Sequence, residues 1–145
     1  MDTHLLISIS AHGLGHLSQV SAVLRDIVFH RRFLRLTLRT SLPGLTLREW
    51  ISCDFVYWHA EDDVGMKMLS ALDVDSAGSE IAYRELHCDW DSKVSMLAAE
   101  LATRSVTHVV SDIAYLPLAA AQRNGLVNIA LCSLNWADVM QAYFH

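Results

Sequence analysis

Leu5-Leu6-Ile7-Ser8-Ile9-Ser10-Ala11-His12-Gly13-Leu14-Gly15-His16-Leu17-Ser18-Gln19-Val20 is the stretch on which the fold turns. Residues 4–10 are rich in Leu and Ile and lack a clean polar–apolar alternation, which is how a strand buried on both faces of a parallel sheet reads. Gly13 and Gly15 then make a tight turn that holds His12 and His16 and breaks any helix there. After it, Leu17, Val20, Val23, Leu24, Ile27 and Val28 recur at three- and four-residue spacing, the apolar face of a helix to about Arg32. A strand that feeds a glycine turn and then a helix start is how α/β proteins build a ligand site. Glycine lets backbone approach the ligand, and the helix start offers unpaired N–H groups and the positive end of the dipole.

Working outward, Leu34–Thr40 predicts a second strand, with Leu34, Leu36 and Leu38 alternating with Arg35, Thr37 and Arg39. Ser41-Leu42-Pro43-Gly44 is a turn, residues 45–51 a short helix and residues 53–58 a third strand. Residues 60–78 form a long polar connection carrying Glu61, Asp62, Asp63, Gly65, Asp73, Asp75 and Gly78, and connections of that length are functional or mobile. Its three consecutive acids read as a solvated loop in preference to a metal site, and Met66, Met68 and Leu69 read either as a lid or as loop packing. One longer helix follows, with Leu86, Trp90, Val94, Leu97 and Leu101 on a single face. Residues 107–111 are a fourth strand ending at Asp112. Leu116–Arg123 is a helix with Pro117 in its first turn and Asn124-Gly125 as its stop. Residues 127–132 make a fifth strand, and residues 135–144 open another helix.

Strands alternating with helices require parallel pairing through crossovers, so the expected fold is an α/β, doubly wound parallel sheet in one domain. Right-handed crossovers give the strand order 3-2-1-4-5. The switch point then falls between the first and fourth strands and brings the glycine turn beside Asp112. The fifth strand is left as an exposed edge, with no linker or second domain before His145. A truncated chain, or one completed by a partner, is therefore expected.

The chain has 145 residues, 52% of them hydrophobic and 19% charged, which suits one globular domain with a real core. Its net charge of −5 argues against nucleic acid as a partner, since a phosphate backbone demands a surplus of Lys and Arg. The basic run His30-Arg31-Arg32, followed by Arg35 and Arg39, reads as charge at a helix C-terminus. Cys53, Cys88 and Cys132 are odd in number and far apart, so neither a disulfide framework nor a metal spacing is implied. There is no signal-peptide pattern and no apolar run long enough for a transmembrane segment, and a cytoplasmic location is the expectation.

Two familiar loops are excluded at the turn. The third glycine of the dinucleotide fingerprint would fall at Ser18, and no acid ends the second strand. The Gly-Lys-Ser/Thr ending of a P-loop is absent as well. His12 and His16 have the spacing of a zinc pair, but no Glu lies between them, so no metal is assigned. What remains is a turn that contacts an anion or a sugar, with His16 as general base and Asp112 as the carboxylate that orients it. The competing reading makes both residues helix caps. Trp50, Trp58 and Trp90 read as packing residues, whereas Trp136, after a strand end, suits either packing or the crevice rim.

Ala11-His12-Gly13-Leu14-Gly15-His16 after a buried strand resembles the opening loop of GT-B glycosyltransferases. Together with Val109-Val110-Ser111-Asp112 and Ser133-Leu134-Asn135-Trp136, the segment Ser10–His16 is similar in order and spacing to the glycosyltransferase-like N-terminal region of plant L-arabinokinases. Bacterial predicted glycosyltransferases share this pattern. The resemblance covers nearly the whole chain. It implies that residues 1–145 are a Rossmann-like, acceptor-binding N-terminal half of a GT-B enzyme, without the C-terminal donor-binding half. It further implies that His16 is the base and Asp112 its partner, and that His12, Gly13, Leu14, Gly15, Asn135 and Trp136 line the acceptor cleft. The implied co-substrate is a nucleotide sugar, bound only if a donor half is supplied, and no covalently bound cofactor is implied. The implied partners are a sugar or glycolipid acceptor and a donor-domain chain or a second copy as a homodimer. Two other classes remain open: a non-catalytic module that binds a sugar or phosphate, and a different Rossmann-like nucleotide-sugar enzyme.

Overall fold

The computed structural model describes residues 3–30 and 34–143. Its five-stranded sheet has the order β3-β2-β1-β4-β5 and is parallel throughout. The strands are β1 (Thr3–Ser8), β2 (Leu34–Thr40), β3 (Val56–His59), β4 (His108–Ser111) and β5 (Val127–Ala130). The helices are α1 (Leu14–His30), α2 (Gly44–Trp50), α3 (Ser76–His87), α4 (Trp90–Thr103), α5 (Leu116–Arg123) and α6 (Trp136–Tyr143). The expected α/β class, doubly wound parallel sheet and strand order are all present. The ends of the first helix and of the sixth, at Arg31-Arg32 and Phe144, lie outside the described residues.

Because β1 is central, its alternating side chains feed two separate cores. Leu5, Ile7 and Ile9 join Leu36 and Leu38 of β2, Leu17, Val20 and Leu24 of α1, and Leu47 of α2. On the opposite face Leu6 joins Val109, Val94, Leu97 and Leu101 of α4, and Ala120 and Ala121 of α5. This double burial removes any need for polar alternation along β1. Each fully buried Leu or Ile contributes about 1.5–3 kcal/mol, so both layers stabilise the strands on either side of the switch point.

Several boundaries depart from expectation, each for a local reason. α1 begins at Leu14, so Gly15 and His16 lie in its first turn, and Gly13, at φ +107°, makes the turn by itself. The single long helix expected after the polar connection is two helices, α3 and α4, broken at Cys88-Asp89. Asp89 takes the left-handed conformation at φ 53°, which Asp tolerates better than most residues. Lys93 donates to the carbonyls of Glu85 and Leu86, satisfying the end of α3. The apolar spacing from Leu86 to Leu101 runs across this break unchanged, so periodicity alone carries no sign of it.

The connection between β3 and α3 is anchored: of the three acids that read as a solvated loop, Glu61 is exposed but Asp62 and Asp63 are not. Asp62 and Asp63 are buried at 6% and 4% exposure. Asp62 is gripped by Arg39 and accepts a hydrogen bond of 2.8 Å from the Ser8 hydroxyl. Farther along, an isolated bridge pairs Met68 with Val74, and Asp75 caps α3 by accepting from Gly78 N at 2.9 Å. At the far edge, β5 is exposed over all four residues, as a terminal strand of the sheet is expected to be.

Candidate active site

Four segments converge at the carboxyl ends of β1 and β4: the turn after β1, the anchored loop after β3, the end of β4 and the start of α6. Their meeting point is the crevice that a doubly wound sheet opens at its switch point. β1 and β4 are direct neighbours in register, with Ser8 opposite Ser111, so the turn and Asp112 are brought together by backbone pairing alone. Asp112 N donates to Ser8 O at 2.9 Å, which extends the pairing one residue beyond the strand.

The central contact joins His16 Nδ1 to Asp112 Oδ2 at 2.8 Å. The Asp112 side chain is only 1% exposed and that of His16 22% exposed, so the carboxylate lies beneath the ring and the ring faces the opening. Burial pushes the Asp112 carboxyl up from its usual range, and the nearby Asp63 charge pushes the same way. The His16 hydrogen bond and charge, and the backbone N–H of Ser10 at 3.4 Å, pull it down. Asp112 Oδ1 has no partner among the described residues. With Asp112 ionised, His16 carries its proton on Nδ1 and presents the Nε2 lone pair outward, the arrangement a general base requires.

A second imidazole stands beside a second buried carboxylate. His12 Nε2 lies 3.8 Å from Asp63 Oδ1, and its ring meets Trp136 edge-on at a centroid distance of 6.0 Å. Asp63 Oδ2 accepts from the Ser10 hydroxyl at 3.0 Å and from Trp136 Nε1 at 3.1 Å. Ser10 thus touches both carboxylates, through its N–H on one side and its hydroxyl on the other.

The structure therefore brings together His12, His16, Asp112 and Trp136, with Gly13 in the turn and Leu14 and Gly15 at the start of α1 between the two histidines. Trp136 is buried at 8% exposure and serves as an anchor for α6. A Cβ on Gly13 or Gly15 would meet nothing within 4 Å, so the turn and the start of α1 open onto free space. Asn135 is exposed and caps α6: its Oδ1 accepts from Asp138 N at 2.9 Å, and its Nδ2 donates to Asp138 Oδ2 at 2.6 Å. Asp63, Ser10 and the Arg39–Asp62 pair were not legible as site elements. Arg39 was the available signal, because a guanidinium on a strand with buried neighbours requires a carboxylate partner.

A cleft elsewhere, lined by residues that include Leu24, Val28, Trp50, Ile51 and Cys53, has Arg25 as its sole charged lining residue among the described residues and none of the groups above. It lacks the convergent polar groups of a reactive site. Among the described residues no group of three or more His, Cys, Asp or Glu side chains is arranged to hold a metal ion, and no helix is long and apolar enough to cross a membrane.

No family model and no curated protein matches this sequence. Solved structures do match. A UGT of Arabidopsis thaliana complexed with UDP superposes with a TM-score of 0.58 at 15% identity, covering 99% of this chain and 39% of that one. A UDP-glucosyltransferase from Polygonum tinctorium capable of glucosylating indoxyl gives 0.56 at 19% identity, with coverages of 93% and 30%. A UGT transferase from Siraitia grosvenorii in complex with UDP gives 0.56 at 12% identity, with coverages of 89% and 27%. The chain thus has a GT-B glycosyltransferase-like fold and spans between about a quarter and two fifths of the length of these structures.

Proposed function

We propose that this chain is the acceptor-binding N-terminal half of a GT-B glycosyltransferase, which transfers a sugar from a nucleotide sugar to an acceptor hydroxyl once a donor-binding half completes it. The observation that carries this reading is the 2.8 Å contact between His16 Nδ1 and the buried Asp112, set at the switch point of a GT-B-like sheet.

In this reading Asp112 holds the His16 ring in the tautomer that exposes Nε2 and stabilises the imidazolium formed when Nε2 takes a proton. The acceptor oxygen, losing that proton, attacks the anomeric carbon. The glycosidic bond forms as the bond to the nucleoside diphosphate breaks, and the diphosphate departs with the bonding electrons. The space around Gly13 and Gly15 admits the acceptor, and Leu14, at 50% exposure, offers it an apolar contact. His12 and Trp136 complete the cleft wall, with Asn135 at the start of α6. The co-substrate of the reaction is the nucleotide sugar, held by the other half. That half is a separate chain, a continuation of this one or a second copy.

The test combines this chain with a GT-B donor-binding half, a UDP-sugar and a panel of hydroxylated acceptors. Transfer that is lost in His16→Ala, with the fold intact by circular dichroism, supports the assignment. Undiminished turnover in His16→Ala overturns the base assignment, and failure of the completed enzyme to transfer to any acceptor leaves a non-catalytic sugar-binding module.

A further inference from the structure

One oxygen of the buried Asp63 carboxylate has no hydrogen bond among the described residues. Oδ2 accepts from Ser10 and Trp136, whereas Oδ1 makes none among the described residues and faces His12 Nε2 at 3.8 Å. That separation exceeds the roughly 2.7–3.2 Å of an N–H···O hydrogen bond. Asp63 is 4% exposed, yet Oδ1 is not one of the fully buried unpaired atoms, so it stays open to a hydrogen-bond donor entering from the crevice.

The gap is held open from several sides. Gly65, at φ +57°, lies so close to the His12 ring that a Cβ there would come within 2.5 Å of Cε1 and Nε2. Trp136 blocks another side of the ring at an interplanar angle of 87°. Asp63 cannot swing toward His12, because Ser10 and Trp136 hold its other oxygen and Arg39 clamps the adjacent Asp62. His12 remains 32% exposed at its side chain, so the gap is reachable from the crevice.

A hydroxyl suits this gap. It donates to Oδ1 and accepts from an imidazole N–H, and one oxygen can lie about 2.8 Å from each atom. An anionic group would face the Asp63 carboxylate directly and is disfavoured there. We infer that the His12–Asp63 gap is a second hydroxyl-reading site beside the His16–Asp112 pair, and that the acceptor is polyhydroxylated, a sugar or polyol. This inference rests on the acceptor-side reading of the crevice. One acceptor hydroxyl meets His16 while another bridges His12 and Asp63, which fixes the orientation of the sugar ring.

The experiment measures binding to the ¹⁵N-labelled chain through its indole N–H signals, with methyl β-glucoside and cyclohexylmethanol as probes of similar ring size. The native chain is expected to prefer the glucoside. In His12→Ala and in Asp63→Asn the ratio of the two affinities is expected to fall by about ten- to a hundredfold, as for one hydrogen bond to a charged group, with the remaining spectrum unchanged. Absence of a preference in the native chain, or a ratio unchanged in both variants, overturns the inference. Transfer by the completed enzyme to cyclohexylmethanol without such a preference removes this site and leaves the acceptor reading standing. Preferred glucoside binding without any transfer does the reverse.

Discussion

Arg39 grips Asp62 through three hydrogen bonds of 2.8–3.0 Å, with Nε reaching both carboxylate oxygens and Nη2 a single one. Both side chains are mostly buried, at 12% and 4% exposure, and the Trp58 ring lies 4.2 Å from the same guanidinium. The pair fastens the loop after β3 to the centre of the sheet and so sets the position of Asp63. Removing one partner leaves an uncompensated buried charge, which costs about 3–5 kcal/mol, whereas an apolar pair of similar volume is close to neutral. Arg39→Met alone is therefore expected to lower the urea midpoint sharply, and Arg39→Met with Asp62→Leu to recover most of it. Additive losses in the double variant would contradict this.

Catalysis places its own demands on Asp112. General-base catalysis contributes about 10²–10⁴-fold, and removal of the orienting carboxylate leaves the ring free to adopt the wrong tautomer. In the completed enzyme, Asp112→Asn is expected to lower kcat by about that range with little change in the acceptor KM. A change confined to KM would mean that Asp112 shapes the cleft without orienting the base.

The same substitution has a predictable effect on stability. The folded pKa of Asp112 lies above its ordinary value of 3.8, first because of burial, so the fold prefers the neutral carboxyl. That contribution is fully present below the unfolded pKa and is lost as pH rises through the folded one. Asn is neutral at every pH. Asp112→Asn should thus gain stability relative to the native chain as pH is raised from about 4 toward neutrality, measured by urea midpoints. A difference that stays constant across that window would refute the sign.

His4 titrates in the opposite sense. Its ring is buried at 3% exposure, with Nδ1 3.0 Å from Arg104 O and Nε2 2.8 Å from Thr37 Oγ1. Burial holds its pKa below 6.5, and the charges of Arg35 and Arg104 reinforce this against backbone hydrogen bonds that raise it. The neutral ring is the folded form, so its contribution is present above the unfolded pKa and is lost as pH falls through the folded one. His4→Gln is expected to flatten the decline in stability between about pH 7 and pH 5.

Gly65→Ala probes the clamp on His12. The added methyl meets the ring at 2.5 Å and stands at φ +57°, where non-glycine residues are strained, at a cost of about 1–3 kcal/mol. Thermal unfolding should register the loss, and the His12 ring signals should shift. An unmoved His12 would mean that the loop, and not the ring, gives way.

The sheet was legible because each of its strands carries the signature of its position. β1 lacks alternation because it feeds two cores, and the parallel order follows from the helices between strands. The His16–Asp112 pair was legible for the same reason: strand order alone makes the end of β1 and the end of β4 neighbours. Asp63 was not legible. Consecutive acids at the start of a long polar connection look solvated unless their partners are known, and those partners, Ser10, Arg39 and Trp136, are remote in sequence. The break at Asp89 was hidden by an apolar spacing that both the continuous and the broken helix satisfy.

Trp136 is the one buried residue of α6, and its indole ends on Asp63, far back in the chain. The crevice therefore exists only after distant segments have docked, and its long-range closure should be among the late events of folding. By the same logic it is an early place to open. Hydrogen exchange at the Trp136 indole N–H should run faster than at the amides of β1, reporting local release of the site while the sheet stays closed.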